Sequence, residues 1–121
     1  MPSMAATAEP TVAQHFEGRA PAVAQTYAKL LAAARKLGPV REEPKKTSIH
    51  LVRASAFAGV ATRKDALVLT LKSASDVASA RIAKRERVSA HRWHLEIRLA
   101  GPSEVDRELV GWLKKAYALA D

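Results

Sequence analysis

The chain has 121 residues, 48% of them hydrophobic, which is enough for one domain with a single core. It contains no cysteine, which excludes disulfide bonds, zinc sites built on thiolates and cysteine nucleophiles. The formal net charge of +8 suggests an anionic partner, although such a charge also keeps a small protein soluble.

The first ten residues are small and polar and end in proline, which predicts a disordered tail over residues 1–10 and a single domain over residues 11–121. They lack the basic and apolar regions of a signal peptide. No apolar run approaches the roughly 20 residues that a membrane span needs. We therefore expect a cytoplasmic protein without membrane contact.

Helices are predicted near the N-terminus. Thr11 and Gln14 have the spacing of a capping box, which predicts a short helix that ends at Gly18. Pro21 suits a first helical position, and apolar residues follow it with a period of 3.6 as far as Leu37.

A further helix is predicted at the C-terminus. Residues 103–106 offer a cap with acidic side chains in the first turn. An apolar stripe then runs from Val105 to Tyr117.

Between these helices the hydrophobic period changes to two. Five short segments predict strands at residues 48–53, 57–61, 66–72, 82–88 and 92–99. The short links between them indicate an antiparallel meander. In the fourth segment Lys84 and Glu86 are expected to share a face with Ile82 and Val88, a pattern that suits an edge strand. The fold class is therefore α+β, with a single antiparallel sheet of about five strands and N-terminal and C-terminal helices packed on one face.

Most of the positive charge belongs to this sheet. Residues 41–98 hold 13 lysine and arginine residues against 6 aspartate and glutamate residues, so +7 of the net +8 lies there. The charge is thus part of the folded domain and not of a tail.

Three stretches of the sequence, taken together, resemble one bacterial family. They are residues 43–52 (EPKKTSIHLV), residues 57–60 (FAGV), and residues 92–99 (RWHLEIRL) followed by the helix that carries Trp112 and Tyr117. The combination resembles the family of domains of unknown function numbered 5655 (DUF5655), from about residue 15 to about residue 119. This resemblance implies a compact single domain in a bacterial cytoplasm, alone or appended to other domains. It carries over no catalytic residue.

The outward face of the sheet is the predicted binding surface. Arginine suits an anionic ligand there because its planar fork binds phosphate in a bidentate manner, and histidine can donate hydrogen bonds. The candidate anion-binding residues are Lys46, His50, Arg85, Arg87, Arg92, His94 and Arg98. Most aromatic residues lie on apolar stripes, which argues against base stacking of the kind seen in four-stranded RNA-binding domains. A solvated face of cross-strand Arg–Glu pairs is the alternative interpretation.

The sequence favours a role without catalysis but does not exclude an enzyme. The sequence contains no motif typical of a catalytic nucleophile, such as G-x-S-x-G, and no glycine-rich phosphate-binding loop. His91 and His94 would point to opposite faces of a strand and so could not hold one metal. We therefore predict no catalytic residue, no metal and no cofactor.

Three functional hypotheses follow. The first is a non-enzymatic module that binds nucleic acid or a phosphorylated small molecule on the exposed sheet face. The second is a protein-interaction or homodimerisation module that uses residues 82–88 as an edge strand, so the sequence leaves monomer and homodimer open. The third is a small hydrolase with a pocket between sheet and helices.

Overall fold

A computed structural model describes residues 9–121, which form two helices and one six-stranded antiparallel sheet. The helices are α1 (Pro21–Arg35) and α2 (Arg107–Ala118), and short 3₁₀ helices span Ala13–Phe16 and Pro102–Glu104. The strands are β1 (Arg41–Pro44), β2 (Ile49–Val52), β3 (Ala56–Thr62), β4 (Leu67–Ser73), β5 (Ile82–Ser89) and β6 (Arg92–Leu99). Of the tail predicted over residues 1–10, residues 1–8 lie outside the described part, while Glu9 and Pro10 are exposed.

The α+β fold class is confirmed, with both helices on one face of the sheet. The apolar stripes of the helices meet the alternate residues of the central strands, and the side chains on both sides of this contact are almost fully buried. Each such side chain stabilises the fold by about 1.5–3 kcal/mol relative to an exposed one. The largest of them are Phe57, Leu30, Ile49, Leu51, Leu67, Leu69, Leu71, Leu95, Ile97, Leu99, Leu109 and Leu113.

The predicted meander is wrong at one connection. The strand order is β1-β2-β3-β4-β6-β5, so β4 pairs with β6 and not with the strand that follows it in the chain. The segment between β4 and β5 carries the chain to the outer position, and the tight β5–β6 turn brings β6 back beside β4. Strand β5 is therefore an edge strand, as its charged pattern indicated.

Two irregularities in β5 change which side chains share a face. Ile82 pairs with Ile97, but Lys84 pairs with Glu96, so the strand has one extra residue at this point. Such a bulge reverses the alternation. Lys84 and Glu86 consequently do not share the face of Ile82, contrary to the sequence prediction.

The helix starts follow the predicted chemistry. The capping box is present, since the Thr11 amide donates to the Gln14 side chain at 3.0 Å and the Gln14 amide to the Thr11 hydroxyl at 3.2 Å. Helix α2 is capped by Asp106, whose carboxylate accepts from the Leu109 amide at 3.0 Å. Residues 103–106 therefore do provide the predicted cap, at their last residue, and the helix begins directly after it at Arg107.

The C-terminal end of the chain is fastened to the β2–β3 turn. The carbonyl of Ala120 accepts hydrogen bonds from the amides of Ala54 (3.0 Å) and Ser55 (3.2 Å). The Arg53 guanidinium lies 4.4 Å from the centre of the Tyr117 ring and donates to the Tyr117 carbonyl at 3.1 Å.

None of the helices within residues 9–121 is long and apolar enough to cross a membrane.

Candidate functional site

The sheet face opposite the helices contains a trough that runs along β3. Its floor is formed by residues with small or absent side chains, Ala56, Gly59 and Ala61. The trough has a volume of about 320 Å³, at the lower end of the range for small-molecule sites. Because β2 and β4 flank β3, their side chains form walls about 9.5 Å apart at the backbone. We call this feature the β3 trough.

Gly59 is required neither by the backbone nor by crowding. Its φ angle is not in the left-handed region, and a Cβ atom there would meet only the His50 ring, at 3.9 Å. A glycine inside a strand costs about 0.5–1 kcal/mol relative to alanine. The glycine leaves the centre of the trough floor without a side chain. Because folding does not require a glycine there, we look to function for the reason.

One end of the trough carries positive charge. Lys72 and His94 both line it and are directly opposite each other on β4 and β6. The Lys72 ammonium contacts the Ser55 hydroxyl at 3.3 Å, and among residues 9–121 no carboxylate lies within ion-pair distance of it. Nδ1 of His94 lies 3.8 Å from the Glu86 carboxylate on β5, on the side away from the trough.

The centre of the trough is bounded by one ring and one hydroxyl. His50 on β2 and Thr70 on β4 both pair with Gly59, so they face each other across the bare floor. Glu43, the neighbour of His50 on β1, is already neutralised by Arg41 at 2.7 Å and Lys45 at 3.6 Å. The hydrogen bond from Arg41 lowers the pKa of Glu43, and partial desolvation opposes this shift. The trough therefore offers an imidazole and a hydroxyl at its centre and a cation at one end.

Two of the predicted binding residues lie on the other face of the sheet. Arg85 pairs with Leu95 and Arg87 with Trp93, so both are on the helix side and do not extend the His94 face. Arg85 forms an ion pair with Asp76 at 2.7 Å, and the Arg87 guanidinium lies 5.8 Å from the Trp93 ring centre. The bulge in β5 explains this correction.

The other predicted arginines and Lys46 lie outside the trough. Arg92 donates to the carbonyl of its neighbour His91 at 3.0 Å, and Arg98 forms an ion pair with Asp65 at 3.3 Å. Lys46 is exposed at the β1–β2 turn, where it lines a second depression together with glutamates of β1. Of the seven candidates, the structure thus brings only His50 and His94 into one site.

Sequence reasoning missed Lys72, Thr70 and Gly59. Lys72 and Thr70 belong to the predicted strand at residues 66–72, but nothing local distinguishes them from other solvated side chains. The signal that could have found the trough is the low side-chain volume of residues 56–61, four of which are alanine or glycine.

Two other clusters of titratable groups have structural roles. The Tyr27 hydroxyl donates to Glu42 at 2.6 Å, and burial, reinforced by this bond, raises the pKa of Tyr27 well above its usual range. Arg81 bridges Asp106 (2.9 Å) and Glu108 (3.0 Å) and so ties the β4–β5 connection to the start of α2. Within residues 9–121 no three histidine, aspartate or glutamate side chains are grouped as metal ligands would be.

Fold and trough together define a small α+β domain with helices on one sheet face and a bare-floored trough on the other. Residues 12–120 match the family model described as Domain of unknown function (DUF5655), and the chain belongs to this family. No curated protein and no solved structure matches the chain.

Proposed function

We propose that this protein is a non-enzymatic module that binds a small phosphorylated molecule in the β3 trough. The observation that carries the proposal is the bare floor at Gly59 beside two histidines and Lys72, which forms no ion pair with any carboxylate of residues 9–121. A strand glycine that the backbone does not need leaves room for a ligand to approach the sheet closely.

The donors at the charged end suit a phosphate group. Lys72 supplies a point charge that no carboxylate of residues 9–121 neutralises, and His94 supplies a ring N–H beside it. Hydrogen bonds between charged partners are roughly twice as strong as neutral ones. A phosphate that contacts both side chains would therefore be held more firmly than a neutral group.

Nucleic acid is less well supported as the partner. The cations of the sheet are dispersed, since Arg85 and Arg98 are engaged in ion pairs and Arg87 lies on the other face. Among residues 9–121, no aromatic side chain other than the His50 and His94 rings lines the trough along its open side, whereas platforms for single strands stack bases on aromatic rings.

We place the protein in a bacterial cytoplasm, which suits a phosphorylated ligand and a chain without cysteine.

The test is an NMR titration of the ¹⁵N-labelled protein with ribose 5-phosphate. We expect saturable shifts at Gly59, Thr70 and Lys72. The variant Lys72→Gln should weaken binding at least about tenfold, because one charged hydrogen bond is lost. The matched control is Lys114→Gln, which removes the same charge from the exposed side of α2 and should leave affinity unchanged.

If both lysine variants weakened binding equally, the effect would come from net charge alone, and the proposed site at Lys72 would be wrong.

Fluorescence anisotropy with labelled single-stranded DNA, duplex DNA and RNA tests nucleic acid as the partner. We expect binding that disappears at physiological salt, as for non-specific phosphate contacts. Saturable binding that persists there and depends on Lys72 would make nucleic acid the partner instead.

A further inference from the structure

The shape of the β3 trough carries information about the part of the ligand that is not the phosphate. Its floor holds no side chain larger than a methyl group along the open side of β3 at Ala56, Gly59 and Ala61. At Gly59 a ligand can touch the backbone itself. Such a floor is flat and largely apolar, which suits a flat surface on the ligand.

The side chains of β2 and β4 that form the walls of the trough further restrict the kind of ligand that fits. His50 and Thr70 stand on either side of Gly59, with their backbones about 9.5 Å apart, which limits the width available to a ligand between them. An imidazole is a surface on which a nucleobase stacks. A planar ring between these walls has an imidazole on one side and a hydroxyl hydrogen-bond partner on the other.

The distance between ring position and charge also fits one molecule. Thr70 and Lys72 are two residues apart on the same strand, so they project from the same face about 6.7 Å apart. A ring at Gly59 and a phosphate at Lys72 are thus separated by the length of one sugar. The volume of about 320 Å³ accommodates such a ligand.

We propose, building on the proposed function, that the ligand is a nucleoside monophosphate, with its planar base in the β3 trough beside His50 and its phosphate at Lys72 and His94. The base contributes affinity by stacking and by contact with the bare floor. The phosphate contributes it by charge.

The experiment compares adenosine 5′-monophosphate, ribose 5-phosphate and adenosine by isothermal titration calorimetry and by NMR with the same protein sample. We expect the monophosphate to bind about tenfold or more tightly than ribose 5-phosphate, as one stacked base contributes. Adenosine should also bind at least about tenfold more weakly, because it lacks the charged contact. Intermolecular nuclear Overhauser effects should connect the base protons to the Ala61 methyl group, which lies on the side of Gly59 away from Lys72.

The variant Gly59→Val fills the floor with a side chain that strands accept. It should abolish the advantage of the monophosphate while leaving the affinity for ribose 5-phosphate within about threefold. Ala61→Val serves as a second filling variant if the first does not give a folded NMR spectrum. The Lys72→Gln variant should act in the opposite way, because it removes the contribution of the phosphate and leaves that of the base.

The outcomes separate the two proposals. Equal affinity for the monophosphate and ribose 5-phosphate would show that the base contributes nothing to binding. The proposed phosphate site would then still stand. Equal affinity for the monophosphate and adenosine overturns the phosphate site. If none of the three ligands shifts the trough residues, both proposals are wrong.

Discussion

Gly38 and Gly59 are both half-buried, but the backbone needs only one of them. Gly38 has φ +151°, and a Cβ atom there would collide with the Tyr117 hydroxyl, which donates to the Pro39 carbonyl at 3.0 Å. Gly59 has an ordinary φ angle, and a Cβ atom there would make only an ordinary contact with the His50 ring, at 3.9 Å. The two positions should therefore respond to alanine in opposite directions.

We expect Gly59→Ala to raise the free energy of unfolding by about 0.5–1 kcal/mol, since the glycine loses more conformational entropy on folding. Gly38→Ala should lower it by about 1–3 kcal/mol through strain and the collision with Tyr117. Urea unfolding of both variants checks this. A loss of stability at Gly59 would show that the bare floor has a structural cause.

The buried hydroxyl of Tyr27 should matter more than that of Tyr117. Tyr27 donates to the Glu42 carboxylate at 2.6 Å, whereas Tyr117 donates to a neutral carbonyl. We expect Tyr27→Phe to cost about 1.5–3 kcal/mol and Tyr117→Phe about 0.5–1.5 kcal/mol, because hydrogen bonds to charged groups are stronger. The midpoints of urea unfolding rank the two variants, and the reverse order would contradict the role given to Glu42.

At the scale of elements, the start of α2 makes stability depend on pH. The hydrogen bond from the Leu109 amide, followed by that from Arg81, lowers the pKa of Asp106 below its usual value of 3.8. A carboxyl group whose pKa is lower in the folded state stabilises the fold above the unfolded value. This stabilisation is lost as the pH falls through the folded value.

The variant Asp106→Asn keeps a capping oxygen and removes the charge. We expect its unfolding free energy to change less than that of the wild type between pH 5 and about pH 2, while Asp106→Ala is less stable than Asp106→Asn at every pH. Thermal unfolding across this range measures both effects. If the Asn variant lost as much unfolding free energy as the wild type at low pH, Asp106 would not be the cause of the pH dependence.

The edge strand β5 is charged in a way that disfavours pairing with its own copy. A symmetric antiparallel pair centred on Arg85, Glu86 or Lys84 places that residue opposite itself, and the pair centred on Glu86 also places Arg85 opposite Arg87. We therefore expect light scattering to give the monomer mass of 13.1 kDa at all accessible concentrations. The triple variant K84T/R85T/R87T should self-associate, and a wild-type dimer would favour the interaction-module hypothesis.

How far the sequence predicts these elements depends on the kind of signal. Helix α1, helix α2 and five strands were predicted because burial of one face leaves a period of 3.6 or 2. Strand β1 was missed because its residues are charged or proline and show no such period. The bulge in β5 has no local signature, and the crossing of β4 to β6 depends on pairing between distant segments.

At the scale of the whole molecule, the same reasons explain what was predicted of the site. His50 and His94 were found because alternation places them outward, and the sheet brings them to opposite sides of β3. Arg85 and Arg87 were misplaced because one extra residue reverses a face. The trough itself depends on the register of four neighbouring strands, and this register cannot be predicted from any single segment of the sequence.

The bonds between the Ala120 carbonyl and the amides of Ala54 and Ser55 join the β2–β3 turn to the residues that directly follow the C-terminal helix. Exposed turns ordinarily exchange their amide hydrogens with solvent within the shortest labelling times. Here the deuterium uptake of residues 54 and 55 will be governed by how often the helix end frays.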